Sequence, residues 1–133
     1  MKLKKVGVIH SKYKVPGDAP RQGRRSENLS TIKIYEEYSP GLDDIASYEN
    51  LIILYWQDRS SRDTLKVIPP GQSRKRGVFS TRSPSRPNPI AICVVDVVKI
   101  EGNVLTVKGL DALDNSPLLD IKPYVPELDC INP

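Results

Sequence analysis

Arginines held on a proline-stiffened segment are the residues of this chain best placed to do chemistry. Within Arg74-Lys-Arg-Gly-Val-Phe-Ser-Thr-Arg-Ser-Pro-Ser-Arg-Pro-Asn-Pro-Ile90, Arg74, Lys75, Arg76, Arg82 and Arg86 are interleaved with Pro84, Pro87 and Pro89. Proline fixes φ near −65° and restricts the residue before it, so such a segment is stiff. A guanidinium is a planar fork of donors that matches carboxylate and phosphate, so arginines held in place suit planar anionic ligands. Arg82, between Phe79 and Pro84, serves either such a ligand or a salt bridge to Asp111 or Asp114. Asp111 and Asp114 are themselves equally suited to turn and cap positions.

Charge is unevenly spread. Six Lys or Arg and no Asp or Glu lie between Thr64 and Val95, in a chain of 133 residues with formal net charge +4. Residues 1–26 carry eight Lys or Arg against Asp18 alone, whereas residues 96–133 carry seven acids against three bases. Such polarity either steers a polyanion toward one face or is simply an unevenly charged soluble surface. His10 is the only histidine, so multi-histidine metal sites are excluded. Cys93 and Cys130 show neither CxxC spacing nor a histidine nearby, which predicts no metal and reduced thiols in a cytoplasmic protein. The apolar runs 51–56 and 89–95 are too short to span a bilayer, and the N-terminus lacks the long apolar region of a signal peptide. No glycine-rich phosphate motif of the Rossmann or P-loop type occurs.

The elements that must position these residues read as strands. Apolar and β-branched runs predict strands over 5–9, 29–35, 50–56, 77–81, 90–99, 103–110 and 118–121. Glu101-Gly-Asn103 marks a hairpin turn, and residues 42–48 predict about two helical turns. One domain over 1–133 is expected, mainly β, as a small closed or half-closed barrel with long loops and one or two short helices. The long loops are 11–28 and 58–76, and loops of that length in small domains tend to carry function.

An ordered set of motifs then resembles a known family. Val6-Gly-Val-Ile-His-Ser11, Pro20-Arg-Gln-Gly23, Leu54-Tyr-Trp56, Gly77-Val-Phe-Ser-Thr-Arg-Ser83, Arg86-Pro-Asn-Pro-Ile90 and Gly109-Leu-Asp-Ala-Leu-Asp114 occur in order. Pro117 and Leu119-Asp-Ile-Lys-Pro-Tyr-Val-Pro126 close the series. Together they look like the TrmO/TsaA-like (VirR-like) family. The resemblance implies a homodimeric, S-adenosylmethionine-binding β-barrel that methylates N6 of threonylcarbamoyladenosine beside the anticodon of tRNA. It departs from the family where Gln57-Asp58 stands in place of a histidine seen in some members. Well-studied bacterial members also have a further C-terminal region.

On that resemblance, the cofactor-binding candidates are Arg21, Gln22, Gly23, Trp56, Gln57, Arg82, Leu110, Asp111, Leu113 and Asp114. Arg82 would hold the cofactor's carboxylate, Asp111 and Asp114 its ammonium or ribose hydroxyls, and Leu113 or Leu119 would cover the adenine. Tyr55 and Trp56 end an apolar run, so one should face the core, and an exposed ring would attract a sulfonium. Arg86 and Asn88 are the candidates for orienting the base in catalysis, with a rigid turn held by Pro87 and Pro89 as their other use. A proton acceptor would be a carboxylate such as Asp58, Tyr124 or the substrate itself. Arg24, Arg25, Arg74, Lys75 and Arg76 are candidates for tRNA phosphates. Two rival readings are a non-catalytic RNA-binding barrel and a methyltransferase with another substrate.

Overall fold

Strict alternation along residues 50–56 builds one wall of the structure. Leu51, Ile53 and Tyr55 point inward and are buried, while Ile52, Leu54 and Trp56 lie on the outer face. The structure, a computed structural model, describes residues 1–19 and 27–132. Its strands are β1 (Gly7–His10), β2 (Leu29–Ile34), β3 (Asn50–Trp56), β4 (Lys66–Val67), β5 (Arg76–Gly77), β6 (Ile90–Glu101), β7 (Val104–Lys108) and β8 (Ser116–Pro123). Six of them close a barrel in the order β1-β2-β7-β6-β3-β8, with β8 pairing back onto β1. All six pairings are antiparallel. Closure leaves no sheet edge unpaired, and the mainly β barrel expected from the strand pattern is what forms.

Inward residues from all six strands make the core, among them Ile9, Ile32, Ile53, Val95, Val107 and Leu118. Full burial of each such side chain is worth about 1.5–3 kcal/mol against exposure. Gly7 marks a close approach, since a Cβ there would run into the Lys33 carbonyl of β2. The β6–β7 hairpin turns at Gly102, whose φ of 58° is the left-handed conformation that glycine adopts without strain.

Two local expectations are corrected. Residues 77–81 do not form a strand: Arg76–Gly77 pairs briefly with Lys66–Val67, and Val78–Ser80 then winds into a 3-10 turn. Ser80 Oγ donates to the Gly77 carbonyl (2.8 Å) and Thr81 Oγ1 to that of Val78 (3.0 Å). These side chains offer the backbone a local alternative to a ladder. Residues 42–48 form no α-helix either. Two 3-10 segments, Glu36–Leu42 and Ile45–Ser47, are separated by Asp44 at φ 68°, and the first contains Pro40. Among the described residues the one α-helical turn, α1 (Pro126–Asp129), follows the last strand. Among the described residues no helix is long and apolar enough to cross a membrane.

Candidate functional site

The cleft lies at one end of the barrel, where β3 runs out into the 57–62 loop. That loop is zipped to the proline-rich segment: Gln57 N–H donates to the Pro89 carbonyl (2.8 Å) and Arg86 N–H to the Ser61 carbonyl (2.9 Å). Two compartments open beside this seam. The smaller, about 400 Å³, is walled by Pro16, Gly17, Ser61, Pro84 and Leu113. The larger, about 1320 Å³, runs along β6 past Ile90 and Ile92 under Val67 to Pro70. Gln57, Arg82, Pro84 and Asp111 line both. A volume near 400 Å³ falls in the roughly 300–1,000 Å³ range of small-molecule sites.

Asp111 reaches the cleft because β7 ends at Lys108 and the next residue, Gly109, turns the chain with a φ of 96°. Leu110 and Ala112 then drop into the core, leaving Asp111 between them on the opposite side. Its Oδ1 accepts from the Tyr55 hydroxyl at 2.6 Å. Burial pushes the Asp111 carboxyl above its ordinary value, and the Tyr55 hydrogen bond partly offsets this. Burial and the neighbouring carboxylate likewise hold the Tyr55 phenol far above its usual value. Cys93 Sγ donates to the Gly109 carbonyl at 3.0 Å, bracing the same turn from β6.

Asp114, three residues on, is fully engaged. Its Oδ1 accepts from Ser11 N–H at 3.0 Å and its Oδ2 from Lys14 Nζ at 2.9 Å, with His10 Nδ1 at 3.4 Å. Chiefly through Lys14, then Ser11, its pKa is lowered to about 2. The backbone there is also pinned, since Arg59 Nη2 donates to the Asp114 carbonyl at 2.8 Å. Asn115 completes the turn in the left-handed conformation, at φ 67°.

The arginines divide in the same way. Arg86 Nη1 donates to the carbonyls of Thr81 (3.0 Å) and Ser83 (2.9 Å), and Nη2 to that of Val78 (2.8 Å). It clamps the turn that carries Arg82. Arg82 itself is exposed and makes no hydrogen bond or ion pair with the described residues, so the salt bridge to Asp111 or Asp114 does not form. Of the sequence candidates, the structure brings Gln57, Arg82, Asp111 and Leu113 together in the smaller compartment. Trp56, Leu110 and Asp114 line neither compartment. Tyr55 is the core-facing member of its pair, Leu110 is a core residue, and Leu119 is half-buried. Asn88 Oδ1 accepts from Arg62, and Asp58 pairs with its neighbour Arg59 at 3.2 Å. Arg74 and Lys75 are exposed, and Arg76 sits half-buried on β5. Arg21, Gln22, Gly23, Arg24 and Arg25 lie outside the described residues.

Sequence reasoning missed Tyr55 as a polar handle, and it missed Arg59 and Arg62. Arg59 joins the Lys14 carbonyl, the Asp114 carbonyl and Ser116 Oγ. Its only signal was membership of a long loop.

Among the described residues, a closed barrel carries a cleft with an unpaired guanidinium and a desolvated carboxylate, which defines a small-ligand-binding β-barrel without a Rossmann-type element. Comparison with known proteins places it further. The chain belongs to the family of the tRNA-methyltransferase O N-terminal domain, whose model matches residues 8–130. It is 55% identical over 132 residues to an "S-adenosyl-L-methionine-binding protein" of Archaeoglobus fulgidus, covering 99% of this chain and 95% of that protein. A "probable S-adenosyl-L-methionine-binding protein" of Methanothermobacter thermautotrophicus is 44% identical, with 98% and 95% covered. Crystal structures of TrmO superpose with a TM-score of 0.82 at 30% identity, and of TrmO from Pseudomonas aeruginosa with 0.81 at 28%. The alignments take in 98% of this chain but 60% and 58% of those chains.

Proposed function

We propose that this chain is an S-adenosylmethionine-dependent tRNA methyltransferase, acting on N6 of threonylcarbamoyladenosine beside the anticodon. The observation that carries the cofactor reading is that Arg82 and Asp111 line one cleft: a cation without a partner among the described residues and a desolvated anion match the carboxylate and ammonium of an amino-acid ligand. The relatives named for S-adenosylmethionine binding, nearly coextensive with this chain, support the same reading. When bound, S-adenosylmethionine supplies an electrophilic methyl group on its sulfonium.

The residues of the chain bind and orient. Arg82 holds the carboxylate end by charge-assisted hydrogen bonds. Asp111, aimed by Tyr55, holds the ammonium end, and desolvation of that carboxylate strengthens the attraction. Pro84 and Leu113 supply the apolar wall for a ring. Arg86 keeps the Arg82 turn rigid, so the geometry is set before the ligand arrives, and such positioning contributes several kcal/mol to group transfer, roughly 7–11 at the upper limit. Arg74, Lys75 and Arg76 meet tRNA phosphates, which makes affinity fall steeply with salt.

Exposed apolar side chains on the outer face of β6 (Ile90, Ile92) and on either side of β4 (Leu65, Ile68), with Phe79 beyond, support a homodimer as the working unit. Sedimentation should show twice the chain mass. The enzyme reading is tested by calorimetric titration with S-adenosylmethionine and by methyl transfer to tRNA with and without the threonylcarbamoyl group. Saturable binding and transfer only to the modified tRNA are expected. Binding with transfer to neither tRNA would move the substrate elsewhere, and no binding by folded protein would leave an RNA-binding barrel.

A further inference from the structure

Arg62 is absorbed by none of the roles above, yet it is an exposed arginine held in place by three contacts. Its Cζ lies 5.0 Å from the ring centroid of Trp56. Its Nε donates to the Pro87 carbonyl at 2.8 Å and its Nη2 to Asn88 Oδ1 at 3.1 Å. Three contacts thus fix the guanidinium, which remains solvent-exposed, and leave Nη1 without a partner among the described residues. A cation over an indole gains about 0.5–1 kcal/mol at an exposed site. Lysine, a flexible point charge, could neutralise a phosphate as well, so charge alone does not require a guanidinium held in this way.

The position is as telling as the geometry. Trp56 pairs across the sheet with Ile90, and its chain neighbour is Gln57; both line the larger compartment. Ser61, which precedes Arg62, lines the smaller one. The braced arginine therefore sits on the rim of the cleft. Around it Asp58 is paired with Arg59, Asp63 is the one other acid of the loop, and the 64–95 stretch is purely cationic.

We propose that the Arg62 guanidinium, backed by Trp56 and held by Pro87 and Asn88, is a preformed platform on which an unpaired nucleobase of the RNA stacks at the mouth of the cleft. Unpaired bases stack on arginine planes as they do on aromatic rings. This deepens the RNA-methyltransferase reading and rests on its RNA component, not on its cofactor component.

The test compares binding of two single strands of equal length and charge: oligoadenylate, and a chain in which every base is replaced by an abasic sugar. The ratio of the two affinities is taken on each protein separately, so any loss of folded fraction cancels. The wild type should prefer oligoadenylate about tenfold, the scale of a stacked base. R62K and R62A should lose most of that preference, while R62K keeps its affinity for the abasic strand and both bind S-adenosylmethionine as before. If R62K and R62A keep the wild-type preference, the platform is wrong. If the wild type binds both strands equally and in a salt-dependent way, the platform is wrong and the RNA reading survives. If it binds neither, both are wrong.

Discussion

Two pairs of like residues, Arg82 with Arg86 and Asp111 with Asp114, stand on the two loops that meet at the cleft, and in each pair the two members have opposite fates. In the proline-rich segment Arg86 donates to three backbone carbonyls and holds a turn, while Arg82, four residues earlier, has no partner among the described residues. In the loop after β7 Asp114 is saturated by Ser11 and Lys14, while Asp111, three residues earlier, accepts from Tyr55 and faces both compartments. One member of each pair builds the loop, and the other is presented by it. The teaching is that a charged residue is free for a ligand only when another satisfies the backbone around it. The electrostatics agree: Asp114 is held to about 2 by its partners, whereas burial pushes Asp111 up.

The division can be broken residue by residue. Arg86→Ala removes three charge-assisted bonds and should cost about 2–4 kcal/mol of stability, read as a lower midpoint in urea unfolding. It should also weaken ligand binding, because Arg82 loses its mount. Arg82→Ala should leave the urea midpoint where it is and raise the calorimetric Kd for S-adenosylmethionine roughly 10- to 100-fold, the worth of hydrogen bonds to a charged group. A destabilised Arg82→Ala with unchanged affinity would reverse the assignment of the two arginines.

Asp114→Asn should cost about 1–2 kcal/mol, with Lys14 largely exposed and therefore adding little. The sign follows from the lowered pKa. The carboxylate's contribution is complete above its ordinary value of 3.8 and is lost as pH falls through about 2. The melting temperatures of wild type and variant should therefore converge across that acid window.

Asp111→Asn should cost no stability, leaving it flat or up by as much as about 1 kcal/mol, because the Tyr55 hydroxyl keeps an acceptor and a desolvated charge is removed. Its affinity for S-adenosylmethionine should nevertheless fall. In the wild type that affinity should weaken as pH drops through the raised Asp111 pKa, beginning above 3.8, and in the variant this dependence should vanish. A stability loss in Asp111→Asn as large as in Asp114→Asn would erase the distinction between the carboxylates.

Much of this was legible in the residues in unequal degree. The β3 strand was readable to the residue because Leu51, Ile53 and Tyr55 alternate with outward partners, a period that only a half-buried strand satisfies. The 77–81 run has strand composition too, but the hydroxyls of Ser80 and Thr81 bind the backbone locally, and no periodicity rule senses that competition. Asp111 and Asp114 were both visible as candidates, yet their roles could not be told apart.

Alternation, proline spacing and charge by themselves determined a mainly β barrel, a stiff cationic segment and a short roster of arginines and aspartates. Those are local properties, set by backbone sterics and side-chain type. Which arginine is spent on carbonyls, which aspartate is desolvated, and that Tyr55 aims one and Trp56 backs Arg62, was decided only by tertiary structure. Barrel closure brings residues 55, 82 and 111 to one cleft, and burial and hydrogen-bond partners belong to that meeting rather than to any of the three segments.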